Sequence, residues 1–408
     1  MRPFAQRPAL RRIAIHPIAV HPIAIHPIAP RRGALRWLAG VAVIALAACT
    51  TPAPAPAPSA PTPPPAPVRK ALVIGHRGAP ALRPEHTLAS YAKAIEDGAD
   101  FIEPDLVPTK DGVLVARHEN DISTTTNVAT LPQFADRRRI KVVDGERLTG
   151  WFTEDFTLAE LKTLRARERI PRLRAANTRY DGQFEIATFD EILALAAQAA
   201  QKRGRPVGLY PELKHPSYFR GIGLPLEEKL AAALQASAYA RGAPVYVQSF
   251  EPGALRTMRR LLGNTMPNVR ITQLIAGGSH RPADWRLAGD TRTYADMLTP
   301  LGLREVATYA NGIGPEKSLV IPRDAQGRLG EPTALVRNAH AAGLVVHPYT
   351  FRPENSFLPK ALQAAGDAST RNPAGMVREV DAYLAAGVDG IFTDDPALGR
   401  RAVDQPAP

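Results

Sequence analysis

From residue 71 onward, short apolar runs alternate with stretches whose apolar positions recur at helical spacing. The runs that read as strands are Leu72–His76, Phe101–Leu106, Val113–His118, Val207–Leu213, Val245–Ser249 and Val269–Ile275. A weak one near Gly312–Gly314, then Leu344–Pro348 and Gly390–Thr393, complete the set. Between them, Thr87–Asp97, Phe189–Lys202, Leu226–Ala240, Gly253–Leu262 and Met376–Ala386 read as amphipathic helices. Strand and helix alternating over about 330 residues predicts an α/β fold with a parallel sheet. Phe101–Leu106 and Val113–His118 are separated by a short loop with Lys110-Asp111-Gly112, which predicts a hairpin. One hairpin arm is then additional to an eight-stranded ring.

Two parallel architectures compete. An open doubly wound sheet usually carries a glycine-rich turn after its first strand, whereas here the first strand runs into His76-Arg77-Gly78. Polar residues gather at the carboxyl ends of successive strands, where a TIM barrel places its site. The expectation is a TIM (β/α)8 barrel over 70–401 with a short tail at 402–408. An arginine-rich stretch, about 128–188, is expected to be a small insertion after the early strands, with Asp155-Phe156-Thr157-Leu158-Ala159-Glu160 opening a short helix.

Charge changes the picture mainly by where it sits. The 408-residue chain has a formal net charge of +12, and its first 48 residues hold seven arginines and no acid. The remaining 360 residues carry only +5, so a nucleic-acid partner loses its main support. Arg31, Arg32 and Arg36 precede an uncharged stretch from Trp37 to Ala48, which has signal-peptide length and is too short to span a bilayer as a helix. Leu46-Ala47-Ala48-Cys49 resembles a bacterial lipobox, with the single cysteine as the lipidated residue. Residues 1–48 are therefore expected to be a leader and the membrane partner a lipid anchor. Thr50 at the next position suits the periplasmic face of the outer membrane in a Gram-negative cell. His16, His21 and His26 belong to a five-residue repeat that cleavage before Cys49 would discard. Nine of the nineteen residues from Thr50 to Val68 are proline, so 49–69 is expected to be an extended tether reaching about 60 Å.

Candidate chemistry lies at four successive strand ends. They present His76-Arg77, Glu103-Pro104-Asp105, His118-Glu119 and Glu212-Leu213-Lys214. A spacing of two puts Glu103 and Asp105 on one face of an extended chain, although Pro104 removes a ladder donor there. A phosphodiester is an anion, and Arg77 and Lys214 supply the charge to hold it. Glu103, Asp105 and Glu212 are hard oxygen donors suited to Ca²⁺ or Mg²⁺. Two histidines, one ionised and one neutral near pH 7, suit the acid and the base. Taken singly each feature has a plainer explanation: a structural histidine, a solvated carboxylate pair, a surface ion pair. Their order along the strands is what points to a site.

These motifs resemble the glycerophosphodiester phosphodiesterases, particularly the periplasmic branch. The resemblance lies in Gly75-His76-Arg77-Gly78, Pro84-Glu85-His86-Thr87, Glu103-x-Asp105, Thr109-Lys110-Asp111-Gly112 and His118-Glu119-Asn120-Asp121. It extends to Glu212-Leu213-Lys214, Gln248-Ser249-Phe250, the run from His347 to Arg352, and Gly390–Asp394, so it covers about 71–400. It implies a TIM barrel with an early insertion, and cleavage of a glycerophosphodiester to sn-glycerol 3-phosphate and an alcohol. It implies His76 and His118 as the acid/base pair and Glu103, Asp105 and Glu212 as ligands of a divalent metal, Ca²⁺ or Mg²⁺. Arg77 and Lys214 would hold the phosphate, with Glu85 a further carboxylate and Tyr349 and Phe392 near the glycerol pocket. Some members have Asn where His86 stands, and many have Asp where Glu119 stands. The nucleophile is water or a substrate hydroxyl, and a phospholipase D-like or lysophospholipid-cleaving activity shares the same chemistry. A transition-metal hydrolase would usually have two histidines one residue apart on the first strand, where this chain has His76-Arg77-Gly78, and a binding-only lipoprotein would not need the acid/base pair.

Overall fold

The computed structural model describes residues 70–405. The leader, Cys49 and the proline-rich tether lie outside the described residues. Thirteen strands follow in chain order: β1 Leu72–His76, β2 Phe101–Glu103, β3 Asp105–Pro108, β4 Leu114–Ala116, β5 Arg139–Val143, β6 Glu146–Gly150 and β7 Gly208–Leu209. Then come β8 Glu212–Leu213, β9 Val245–Ser249, β10 Val269–Ile275, β11 Gly312–Pro315, β12 Val345–Val346 and β13 Gly390–Thr393. Parallel pairing runs β13-β1-β2-β7-β9-β10-β11-β12. Backbone bonds then join the two ends of that path: Asp389 N–H to Val346 O at 2.9 Å, Phe392 N–H to Pro348 O at 3.1 Å, and Phe351 N–H to Phe392 O at 2.9 Å. The sheet closes into an eight-membered barrel, as the pattern predicts.

Each barrel strand is followed by a helix that covers the outside. The helices are Leu88–Glu96, Phe189–Arg203, Leu226–Ala236, Pro252–Leu262, Pro300–Ala307, Leu335–Ala341, Pro373–Ala385 and Pro396–Asp404. Threonines punctuate the early ones. Thr87 Oγ1 accepts from Ser90 N–H, and Thr188 with Glu191 forms a capping box. Three of the eight, Pro300–Ala307, Leu335–Ala341 and Pro396–Asp404, are not evident in the apolar pattern. They run for eight, seven and nine residues.

Two strands break next to their carboxylates. Pro104 divides β2 from β3, and Tyr210-Pro211 divides β7 from β8. Each proline still accepts through its carbonyl, from Glu212 N–H and Gln248 N–H respectively. The paired breaks stay in register, Asp105 beside Glu212 and Glu212 beside Gln248. The predicted hairpin is β3–β4, and β4 lies outside the ring. The weak strand near Gly312 is real and is built from glycines for a steric reason. A Cβ on Gly312 would stand 2.6 Å from Val345 Cγ2, and one on Gly314 would stand 2.7 Å from Leu274 Cδ2.

Between β4 and the helix at Phe189 the chain makes short 3₁₀ turns, the antiparallel hairpin β5–β6 and one turn of helix at Leu158–Leu161 capped by Thr157. The Phe134 and Phe156 rings meet edge to face at 5.1 Å, and Trp151 Nε1 donates to Phe134 O at 2.6 Å. No helix among the described residues is long and apolar enough to cross a membrane.

Candidate active site

The turn after β1 sets the site. Gly78 has φ +92°, and a Cβ there would collide with Ser90 of the first helix, so only glycine lets the turn lie so close. The Ser90 hydroxyl donates to Arg77 O at 3.1 Å and accepts from Ala79 N–H at 2.9 Å, and Arg77 itself is left-handed at φ +56°. This folds Arg77 back over the strand ends. Its backbone N–H donates to Glu103 Oε2 at 2.7 Å, and its Nη1 to Glu85 Oε2 at 3.0 Å.

Glu103, Asp105 and Glu212 are buried, and one oxygen of each lies within 4.8 Å of the others. Each is aimed by a neighbour: Gln248 Nε2 donates to Glu103 Oε1 at 3.0 Å, His86 Nε2 meets Asp105 Oδ2 at 2.9 Å, and Lys214 Nζ stands 2.7 Å from Glu212 Oε1. Three buried carboxylates cannot all stay charged unaided. Burial, then Asp105 and Glu212, lifts Glu103 well above the usual range, while burial lifts Glu212 to about 8 against the pull of Lys214. A divalent cation relieves that repulsion, and the all-oxygen donor set fits a hard ion such as Ca²⁺ or Mg²⁺.

The two histidines border the same cavity as Glu103 and Glu212, and each leans on a carboxylate through Nδ1. His76 meets Asp394 Oδ1 at 2.6 Å, and His118 meets Glu119 Oε1. That leaves Nε2 of each as the other ring nitrogen, and on His76 it accepts from Arg77 Nε at 3.2 Å. The sequence led to the expectation of one ionised and one neutral imidazole, and the structure corrects it. Burial, then Arg77, brings His76 down to about 4 against Asp394, and burial with Arg77 and Lys214 brings His118 down to about 3. Both rings are neutral at pH 7 until an anion arrives.

A cavity of about 500 Å³ opens above the triad and takes in His76, Arg77, Glu103, His118, Glu212 and Lys214 on one wall. Tyr349 and Phe392 line it as well, and Phe392 also plugs the barrel floor with Ile74, Phe101, Tyr210 and Tyr246. Lys214 is nearer the acids than expected of a free phosphate ligand. Its Nζ also lies 3.4 Å from Asp105 Oδ1, and the two carboxylates hold its pKa up against burial. Glu85 does not border the cavity, because its oxygens are taken by Arg77 and by Arg169 at 2.6 Å. It positions Arg77.

Several partners were not evident in the sequence. Arg169 bridges Glu85 and Glu119. Arg174 Nη2 and Arg352 Nε converge on Asp394 Oδ2 at 2.6 and 2.9 Å, and they keep its carboxyl well below its ordinary value against burial. Asp394 stands in a motif noted for its resemblance, but nothing local in the sequence pairs it with His76. The arginine excess of the 128–188 stretch was the one visible sign that cations from it would be needed.

The family model described as the glycerophosphoryl diester phosphodiesterase family matches residues 76–398. A glycerophosphodiester phosphodiesterase of Arabidopsis thaliana is 37% identical over 337 residues, covering 79% of this chain and 82% of its own length. A glycerophosphodiester phosphodiesterase of Haemophilus influenzae is 28% identical over 352 residues, covering 80% of this chain and 88% of its own. Among solved structures, one from Silicibacter pomeroyi superposes with a TM-score of 0.57 at 22% identity, covering 83% of this chain and 94% of that one.

Proposed function

The chain belongs to the glycerophosphoryl diester phosphodiesterase family, and from that premise we propose that it cleaves glycerophosphodiesters to sn-glycerol 3-phosphate and an alcohol with a divalent cation held by Glu103, Asp105 and Glu212. It is a phosphoric diester hydrolase. The observation that carries the proposal is the buried carboxylate triad, two of whose members, Glu103 and Glu212, open on the same cavity as two carboxylate-oriented histidines. When bound, the cation supplies Lewis acidity toward the phosphoryl oxygens. Arg77 and Lys214 flank the same point and hold the phosphate by charge. His76, neutral and with Nδ1–H donated to Asp394, has its Nε2 lone pair held by Arg77 Nε at 3.2 Å, and it accepts the nucleophile's proton there once Arg77 turns to the phosphate. His118 borders both the main cavity and a neighbouring one, so it suits proton delivery to the departing alkoxide once the phosphate charge has raised its pKa.

Hydrolysis of glycerophosphocholine, followed as release of sn-glycerol 3-phosphate, tests this. A chelator should reduce the rate to about a hundredth or less, with recovery on adding Ca²⁺ or Mg²⁺. Full activity in chelator would overturn the metal assignment. We also propose that Cys49 is lipidated and that the enzyme sits on the periplasmic face of the outer membrane, on the strength of the lipobox-like sequence. Incorporation of labelled palmitate that persists in Cys49→Ala would refute it.

A further inference from the structure

A second cavity, of about 410 Å³, opens beside the first and shares His118, Glu212, Lys214 and Phe250 with it. A diester whose phosphorus lies among Arg77, Lys214 and His118 has two ester arms, and the two cavities meet at that point. The second one is roofed by the tip of the β5–β6 hairpin. Asp144 there has φ +48°, bonds His215 Nδ1 at 2.6 Å and accepts from Arg286 through its carbonyl.

Four carboxylates border this cavity, and three of them face a basic side chain: Asp144 has His215, Glu119 has Arg169, and Glu212 has Lys214. Glu251 is the exception. It is 3% exposed and accepts from Ser217 N–H at 3.3 Å and from the Ser217 hydroxyl. Among the described residues, no lysine, arginine or histidine nitrogen lies within ion-pair distance of it. Burial without a counter-ion pushes its carboxyl up to about 8, with Ser217 opposing. Beside it, the rings of Phe250 and Tyr294 meet edge to face, 6.2 Å between centroids, and form an aromatic corner. Arg281 and Arg286 also border the cavity but are exposed, their guanidinium groups turned to the carbonyls of Asp290 and Asp144. Charge at an exposed rim is screened by salt, whereas a buried carboxyl that ionises against an arriving cation is screened much less. A buried acid with no ion-pair partner, beside an aromatic corner whose Phe250 ring already takes the Lys214 ammonium at 5.8 Å from its centroid, is the chemistry that holds an ammonium group.

We propose that the second cavity is the subsite of the departing alcohol, and that Glu251, Phe250 and Tyr294 make it select alcohols bearing a cationic nitrogen. The proposal rests on the phosphodiesterase activity proposed above. It is tested by kcat/KM for glycerophosphocholine relative to glycerophosphoglycerol, whose departing alcohol is uncharged. The wild-type enzyme should favour the former by about ten-fold or more. Glu251→Gln should shrink that ratio by about ten-fold, and Glu251→Asp, which keeps the ionisable carboxyl, should restore most of it. An unchanged ratio in Glu251→Gln overturns the subsite. Should the variants fail to fold, the wild type alone decides, because tetramethylammonium must inhibit competitively and its failure to do so overturns the subsite too. A wild-type enzyme that hydrolyses neither diester would instead overturn the activity itself. Hydrolysis of both at equal kcat/KM would overturn only the subsite.

Discussion

His76 and His118 each rest on a carboxylate through Nδ1, yet the two pairs are built from opposite materials. His118 borrows the residue next to it, and this pair is part open, with side chains 30% and 32% exposed. His76 reaches a residue 318 positions away across the seam between β1 and β13, and this pair is closed, at 10% and 2%. The anion under His118 is steadied by one arginine, Arg169, and the anion under His76 by two, Arg174 and Arg352. A closed pair fixes tautomer and direction, as befits a proton acceptor that must be ready before substrate arrives. An open pair can change protonation as a charged substrate comes and goes, as befits a donor that must first gain its proton.

That contrast is open to breakage. Alanine at His76 or His118 should lower kcat about a thousand-fold on glycerophosphocholine. Asp394→Asn should come close to that loss, because the amide leaves the imidazole in the wrong tautomer. Glu119→Gln should cost only about ten-fold, since solvent can take over its role, and Arg169→Met less still. Equal losses in Asp394→Asn and Glu119→Gln, measured as kcat at saturating cation, would erase the distinction.

A smaller effect comes from His347, a buried imidazole with no carboxylate under it. Its Nδ1 meets the Tyr210 hydroxyl at 2.9 Å, and burial lowers its pKa from 6.5 to about 4. The folded state thus binds this proton less readily than the unfolded chain. The stabilisation is complete above pH 6.5 and is lost as pH falls toward 4, at up to about 3 kcal/mol. Thermal midpoints between pH 7 and pH 4.5 should flatten in His347→Gln. An unaltered slope would place the acid sensitivity elsewhere.

What could be read along the chain follows the reach of each interaction. β9, β10 and β13 coincide with their apolar runs to the residue, because a strand buried on both faces needs no partner to declare itself. Glu103 and Asp105 were legible through their spacing, and His118 with Glu119 through adjacency. Pro104 was legible as an anomaly, and the strand does divide there. The pairing of Asp394 with His76, and of Arg169 and Arg174 with the site, depends on loops meeting in space and leaves no local period. Glu251 follows Gln-Ser-Phe without any mark. Its lack of a cation is a fact about its surroundings.

The barrel seam has a consequence for when the enzyme comes to life. β1 is among the first folded segments to leave the ribosome and β13 among the last, and His76 is aimed only when Asp394 arrives beside it. A nascent or truncated chain that stops short of residue 394 can carry every metal ligand and both imidazoles and still lack an oriented base. The aim of His76 is therefore set only once β13 has docked beside β1.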